Sequence, residues 1–380
     1  MVELGSMEQF SHEVIISSYL GTHFDIGNQL GQKAKEKYGP NYVDEALDAI
    51  KDSLLYKWLG MEFRLTPHYI DDVFPVVEGI IKSVHPQLLE EVKGFAQGLG
   101  EDYIKFLVFT SNFGNERGCS EFFLNGYLSR NYDDAPKSVE NEFLLLNPEG
   151  SFTSIGASTG YVERLDGINE KGLAASLTFG AGYPAKVHGI GAAMFLRIIL
   201  DKASSIDDAL AIIGKTSYVT PNNVMIADAS GKAIVIEASA GKYRVRKAEN
   251  TILACANSYA HPEMKDQQRL KNPTTVWREN KMQNAASDLT SESKMINFLT
   301  SDFPEGVYEP YFKDGLGTLW SVLYHPESRG IHIAIGEKDK GRQEISFSLT
   351  NPAFLTNLPV ILKTELRNIS LEARMSYFKS

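Results

Sequence analysis

Arg117-Gly118-Cys119-Ser120, followed by Arg130-Asn131-Tyr132-Asp133, is the stretch that decides how this sequence is read. Cys119 is one of two cysteines in 380 residues. It follows a glycine, so the backbone can bend sharply there and the preceding carbonyl is open to attack. A short apolar run, Phe122-Phe123-Leu124, leads to Asn125-Gly126, and a second apolar start at Tyr127-Leu128 leads into Arg130 and Asp133. Apolar runs flanking Asn-Gly predict a β-hairpin, which folds Arg130 and Asp133 back beside Cys119. A cation beside a thiol lowers its pKa and favours the thiolate, and a carboxylate can hold an ammonium group. The competing reading is a buried, inert thiol, the usual state of a free cysteine.

Composition narrows the classes. With 43% hydrophobic and 23% charged residues, the chain has the make-up of an ordinary globular protein. At this length it buries a core without staples. A formal net charge of -10 argues against a nucleic-acid surface, and neither end carries a polybasic run for a membrane surface. Two cysteines make no disulfide framework. Met1 to Gln9 is polar and acidic rather than a signal peptide, and no stretch has the length of a membrane span. The expected setting is reducing and cytoplasmic.

Along the chain, the first third reads as helical. Asp25 to Lys37, Val43 to Leu59, Val76 to Ser83 and Pro86 to Gly98 carry apolar residues at helical spacing, with Pro86 as a first-turn residue and Gly98 and Gly100 as a stop. Tyr103 to Ser111 is apolar and ambiguous between helix and strand. From Cys119 onward, short strands in hairpins dominate. Val162 to Gly167 pairs with Leu173 to Phe179, Asn223 to Asp228 with Ala233 to Ala238, Tyr243 to Lys247 with Thr251 to Asn257, and Thr318 to Tyr324 with Ile331 to Gly336. Helices at Gly191 to Ala203 and Ser205 to Ile213 interrupt them, with Ser205 as N-cap. Lys265 to Thr290 is polar and reads as surface loop and helix. Helices grouped against antiparallel sheets predict an α+β layered fold.

A cysteine nucleophile needs a base, usually a spatially adjacent histidine. None of the eight histidines sits in a local catalytic signature. No His/Cys cluster has metal-ligand spacing, so no metal is expected. Asp133-Asp134 by itself reads as a solvated turn, and there is no phosphate-binding glycine loop. A different base arises if the bond before Cys119 is cut. The new α-amine then lies on the nucleophile itself, with a pKa of about 7.7–8.0, near working pH as a general base requires.

At this point the sequence resembles the acyl-CoA:6-aminopenicillanic acid acyltransferases. They belong to the N-terminal-nucleophile (Ntn) superfamily, with the choloylglycine (bile salt) hydrolases, penicillin V acylases and acid ceramidases. The resemblance runs from about Tyr19 to Gly336. It is carried by Gly21-Thr22-His23-Phe24-Asp25-Ile26-Gly27, by His85-Pro86 through Glu90-Glu91 to Gly94-Phe95-Ala96, and most strongly by Gly118-Cys119-Ser120 with Arg130-Asn131-Tyr132-Asp133. Asp166 to Leu173 matches a second hairpin, and Ala256-Asn257-Ser258 a segment that supplies an oxyanion-hole Asn. Arg269 sits near where ceramidase-like members carry an active-site Arg. The resemblance implies a four-layer αββα sandwich of two stacked antiparallel sheets. Residues 1–118 form a helical pro-segment, or α chain, packed on the same domain, and residues 119–380 form the β chain. It implies self-cleavage at Gly118–Cys119, a Cys119 thiolate attacking an amide or thioester carbonyl, Arg130 and Asp133 holding thiol and amine, and Asn257 donating to the oxyanion. Arg269 is the substrate-binding candidate. No cofactor is implied. The expected partner is a small acyl-amide or acyl-CoA substrate, with the two chains of the precursor staying associated.

Bile salt hydrolases have an Asn where this chain has Thr178, so that donor is lost or altered. Most of them also lack a long helical pro-segment, which this chain has, and that favours the acyltransferase branch. Taken singly, Cys255 reads as a core residue, Asn257 as a strand-end polar group, Arg130 and Asp133 as a structural ion pair, and Arg269 as a surface charge. The rival functions are a non-catalytic binding protein on the same fold and an unprocessed Cys/His thiol hydrolase.

Overall fold

In the chain from Phe10 to Ile16 every second side chain, His12, Val14 and Ile16, is buried. That period of two is a strand's, and it forms β1 (Gln9–Gly21). The first third is therefore not purely helical, as the sequence analysis had it. The computed structural model describes residues 9–52, 65–112, 118–136, 141–158, 160–183, 188–248, 252–269, 273–351 and 356–370. After β1 come α1 (His23–Tyr38), α2 (Tyr42–Asp52), α3 (Pro67–Val84), α4 (Pro86–Leu99) and α5 (Tyr103–Asn112). The helix expected to reach Leu59 is described as far as Asp52, and the rest of that expectation lies outside the described residues. Tyr103 to Ser111 resolves as helix.

The rest alternates strands and helix pairs. In order they are β2 (Gly118–Leu124), β3 (Tyr127–Asp134), β4 (Glu142–Pro148), β5 (Ser154–Ala157), β6 (Asp166–Asn169), β7 (Ala174–Phe179), α6 (Ala192–Lys202), α7 (Ile206–Ile213), β8 (Asn222–Ala227), β9 (Ala233–Ser239), β10 (Lys242–Lys247), β11 (Leu253–Cys255), α8 (Pro273–Asn284), α9 (Glu292–Thr300), β12 (Pro310–Tyr311), β13 (Leu316–His325), β14 (Gly330–Ile335), β15 (Gln343–Ser348) and β16 (Val360–Arg367). Ser205 caps α7 as predicted, its hydroxyl accepting from Asp208 N at 3.2 Å.

Nine strands form one sheet in the order β10-β9-β8-β7-β6-β5-β4-β1-β16, and β11-β2-β3-β13-β14-β15 form the other, with β12 beside β13. Every pairing is antiparallel except β1 with β4. The predicted hairpin of Tyr243–Lys247 with Thr251–Asn257 does not form. β10 pairs with β9, while β11 crosses to the other sheet and pairs with β2. The sheets stack face to face around Trp320, whose ring lies 4.3 Å from Tyr132 and 5.7 Å from Phe143. Helices α1 and α6 cover the nine-stranded sheet, with α4 packed on α1, and α8 and α9 cover the other. The architecture is the expected αββα sandwich.

Helices α1 and α4 approach so closely that their contacts are glycine to backbone. A Cβ on Gly27 would lie 2.0 Å from Glu91 O, and one on Gly94 2.1 Å from Phe24 O. Gly98, taken from sequence as part of a helix stop, serves this crossing instead; the left-handed cap is Gly100 (φ 86). Buried charge adds to the crossing. Arg197 on α6 binds both oxygens of Glu91 on α4 and, through Nε, Asp201. His23 bonds Glu91 at 2.7 Å, and His85 bonds Asp201 at 2.8 Å.

Gly94→Ala should therefore destabilise the protein at or beyond the upper end of the about 1–3 kcal/mol typical of overpacking. Gly79→Ala, on the open face of α3 with nothing within 4 Å of the added carbon, should be neutral or stabilising by up to about 1 kcal/mol. Urea unfolding of the two variants checks this, and similar losses for both would show that the crossing is not tight.

Candidate active site

The predicted hairpin is β2 with β3, turning at Asn125 (φ 50) and Gly126 (φ 83). Its register sets Gly118 opposite Asp133, Cys119 opposite Tyr132, and Glu121 opposite Arg130. Side chains alternate across a strand, so Cys119, Glu121 and Arg130 point between the sheets. Ser120, Asn131 and Asp133 point toward the α8/α9 layer. Arg130 Nη2 donates to the Cys119 sulfur at 3.4 Å and to Leu177 O at 2.8 Å. Its Nη1 is paired with Asp166 of β6.

Asn257 follows β11. Since Cys255 is level with Glu121, Asn257 falls beside Cys119. Its Oδ1 accepts from Cys119 N at 3.3 Å, and its Nδ2 donates to Phe179 O at 3.0 Å. Arg278, one turn into α8, completes the site. Its Nη1 donates to Cys119 O at 2.5 Å and Ser120 Oγ at 2.8 Å, and lies 3.5 Å from Asp133 Oδ2. Its Nη2 donates to Asn257 Oδ1 at 2.8 Å. A guanidinium only donates, so Arg278 fixes which end of the Asn257 amide faces Cys119. A side chain at Gly118 would meet Asp133 Cβ and Leu316 Cδ2 at 3.2 Å, so glycine lets the strand pass.

All of these groups are buried, Cys119 to 1% exposure. Burial pushes its thiol up to about 12, Asp133 and Glu121 add to the rise, and Arg130 only partly offsets it. The thiol of the intact chain is therefore neutral at pH 7, contrary to what the Arg130 pairing alone suggested. Burial and the nearby Glu309 push Asp133 up to about 8 against the pull of Arg278. Asp133-Asp134 is not a solvated turn, since both are fully buried.

The structure thus gathers Cys119, Arg130, Asp133 and Asn257 into one cluster. Arg269 stands apart. Its backbone N–H bonds Ala181 O at 2.9 Å, and its guanidinium lies 5.5 Å from the Tyr183 ring centre, on the loop leaving β7. The arginine that lies against Cys119 is Arg278. The sequence offered little to separate the two, because α8 lies in the polar stretch read as surface, and the one signal was Thr274 four residues earlier on the same helix face. Thr178 bonds Ala256 O at 2.9 Å, and Asn223 bonds both, so Thr178 steadies the Asn257 segment. Cys255 is buried in the core.

None of the eight histidines is hydrogen-bonded to Cys119. The fold does bring His23, His85 and Asp201 within 4.8 Å of one another, a grouping invisible to sequence spacing. Those groups already carry the hydrogen bonds above, and Arg197 sits on the same carboxylates, so the cluster reads as an ion-pair lock. No helix among the described residues is long and apolar enough to cross a membrane.

A family profile, acyl-coenzyme A:6-aminopenicillanic acid acyl-transferase, matches residues 122–340. The chain belongs to this family. The match begins just after Cys119, so the nucleophile candidate rests on the geometry above. Among curated proteins none matches. Similar solved structures include a mutant of the conjugated bile acid hydrolase from Clostridium perfringens, 12% identical over 65% of this chain and 97% of that one, with a TM-score of 0.43. Another is penicillin V acylase from Agrobacterium tumefaciens, 17% identical over 67% of this chain and 85% of that one, with a TM-score of 0.40. Membership of this family places the chain among acyl-transferases at the family level.

Arg278→Met should cost about 3–5 kcal/mol at pH 7.5, because Asp133 and Glu309 are left as uncompensated buried carboxyls. Their folded-state pKa values then lie further above the unfolded ones. The folded variant binds more protons than the unfolded chain, so its stability falls as pH rises. The deficit relative to the parent should shrink at pH 5. Denaturant unfolding at the two pH values checks it, and a pH-independent deficit would place the loss in packing alone.

Proposed function

We propose that the protein is a self-processing amidohydrolase or acyltransferase in which Cys119, once N-terminal, is the nucleophile. The observation that carries this is the convergence on one residue at the start of β2: Arg130 bonds the Cys119 sulfur, Asn257 its backbone nitrogen and Arg278 its carbonyl, with Asp133 paired opposite Gly118 immediately before it.

In the intact chain the thiol is neutral and its backbone nitrogen is amide. Self-cleavage begins with Cys119 Sγ attacking the Gly118 carbonyl carbon. The S–C bond forms, the C–N bond breaks, and the thiol proton passes to the departing nitrogen. Water then hydrolyses the thioester, leaving a free α-amine on Cys119. That amine, with a pKa of about 7.7–8.0 in an ordinary setting, takes the thiol proton during turnover. Arg130 favours the thiolate it already touches, and Asp133 holds the amine. Asn257 keeps its orientation and offers the oxyanion the Nδ2 hydrogen that Phe179 O does not take, and a preplaced donor lowers the barrier more than it aids binding. The substrate acyl group passes through a Cys119 thioester to water or to an amine, from an acyl-amide or an acyl-CoA. Arg269, with Tyr183, is offered as a rim contact for substrate. The cut leaves the N-terminal chain bound, because β1 lies between β4 and β16. The absence of a histidine at Cys119 disfavours the Cys/His thiol hydrolase.

Intact mass and N-terminal sequencing should give two co-purifying chains, the second starting at Cys119, and a single chain from Cys119→Ala. An active protein that stays uncut would overturn the mechanism. In processed protein, Asn257→Ala should keep KM and lose about 10²–10³ in kcat, and a kcat within a few-fold of the parent would remove Asn257 from the oxyanion hole.

A further inference from the structure

Glu309 precedes β12 and is buried against the outer side of the Cys119 site. Its carboxylate lies 3.3 Å from Arg278 Nε, yet neither oxygen receives a well-aligned hydrogen bond from a fixed donor. Thr318 ties it to Asp133. Glu309 N donates to Thr318 Oγ1 at 2.9 Å, and that hydroxyl donates to Asp133 Oδ1 at 2.7 Å. On the other side, Arg278 Nη1 lies 3.5 Å from Asp133 Oδ2. Arg278 thus faces two buried carboxyls, Asp133 from β3 and Glu309 from beside β12. The other cation, Arg130, is already matched by Asp166. The remaining polar neighbours supply no cation. Thr274 lies on the Arg278 face of α8, Tyr308 is neutral, and Asp302 is 3.3 Å from Arg367. With both carboxyls ionised, the dry site would carry an excess negative charge, which burial opposes strongly.

We propose that Glu309 is a positioning residue of the Cys119 site, sharing a single proton with Asp133 so that one carboxylate charge balances Arg278 and keeps it on Cys119 O and Asn257. This rests on the reading of Cys119 as the nucleophile. Burial raises both carboxyls; the charge of Glu309 pushes Asp133 further, up to about 8, and that of Asp302 adds to the rise of Glu309. Above that pH the shared proton leaves. The second charge draws Arg278 outward and disfavours the thiolate on the other side of Asp133. Activity should then fall at alkaline pH by about tenfold per unit. Glu309→Gln keeps the size and an N–H toward Asp133 but carries no second charge.

Two measurements test this. Infrared difference spectra of the parent between pH 6.5 and 9.5 should show loss of protonated-carboxyl C=O signal, from this pair and from Glu121, which burial pushes up to about 7. In Glu309→Gln the signal should drop by the pair's share. Asp133→Asn should remove the same share, and serves if Glu309→Gln does not fold. Identical spectra in parent and variant overturn the shared proton whether or not the protein is cut or active. In processed protein, Glu309→Gln should turn over within about threefold of the parent at pH 7.5 and lose the alkaline fall. Superimposable pH profiles would make Glu309 merely structural. A parent that is neither cut nor active would sink the proposed function while leaving the infrared result to decide the proton.

Discussion

Arg130 and Asp166 meet in the space between the two sheets, and both are fully buried. Asp166 also accepts from Tyr324 OH at 2.7 Å, Trp320 Nε1 at 3.3 Å and Ala157 N at 3.1 Å, so one carboxylate gathers donors from both sheets. A buried ion pair is a weak source of net stability, because desolvation offsets much of the attraction. Breaking one half is costly all the same, because the other charge is left alone. The pair therefore acts as a constraint. It fixes which face of β3 meets β6, and the same guanidinium, held by Leu177 O and Asp166, has one direction left for Nη2, toward Cys119.

The segment before Cys119 answers to the same rule on the other side of the nine-stranded sheet. Glu91 is held down to about 2 by Arg197 and His23, which outweigh its burial. Its contribution to stability is present above the ordinary carboxylate range and is lost as pH falls toward 2. Arg197 belongs to α6 and Glu91 to α4, so this charge cluster joins residues on either side of the Gly118–Cys119 bond. With β1 inside the sheet and α1 pressed on α4 through glycines, the described residues of this segment, 9–52 and 65–112, are part of the fold.

Legibility followed the range of the forces involved. Asn125-Gly126 announced the hairpin because its φ values are a local requirement, and that hairpin brought Cys119, Arg130 and Asp133 together correctly. Residues 9–16 also carried a local signal, the alternation of His12, Val14 and Ile16, but it was short and followed by four helices. The partner of β11 was not local: Leu253–Cys255 reads as a hairpin strand, and only the stacked sheets give it β2. Arg278 was hidden for the same reason. A polar helix looks solvent-facing until the carboxyls it neutralises, Asp133 and Glu309, are brought to it from β3 and from beside β12. Asp166 was legible as a motif position and silent as a partner for Arg130.

The arrangement around Cys119 is fitted to a peptide. Its N–H is taken by Asn257 Oδ1, its carbonyl by Arg278, and its sulfur by Arg130. Each of these contacts survives the chemistry proposed for the Gly118–Cys119 bond. An amine can donate to Asn257 as an amide does, the Cys119 carbonyl stays in the chain, and Arg130 holds thiol or thiolate. What changes is the nitrogen. An amide N–H cannot take a proton from sulfur, whereas a free amine can, so a thiol pushed up to about 12 by burial acquires a base only when the bond before it is gone. On this reading one bond separates a buried thiol whose one reaction is with its own Gly118 carbonyl from a nucleophile that turns over, with the other site residues already in position.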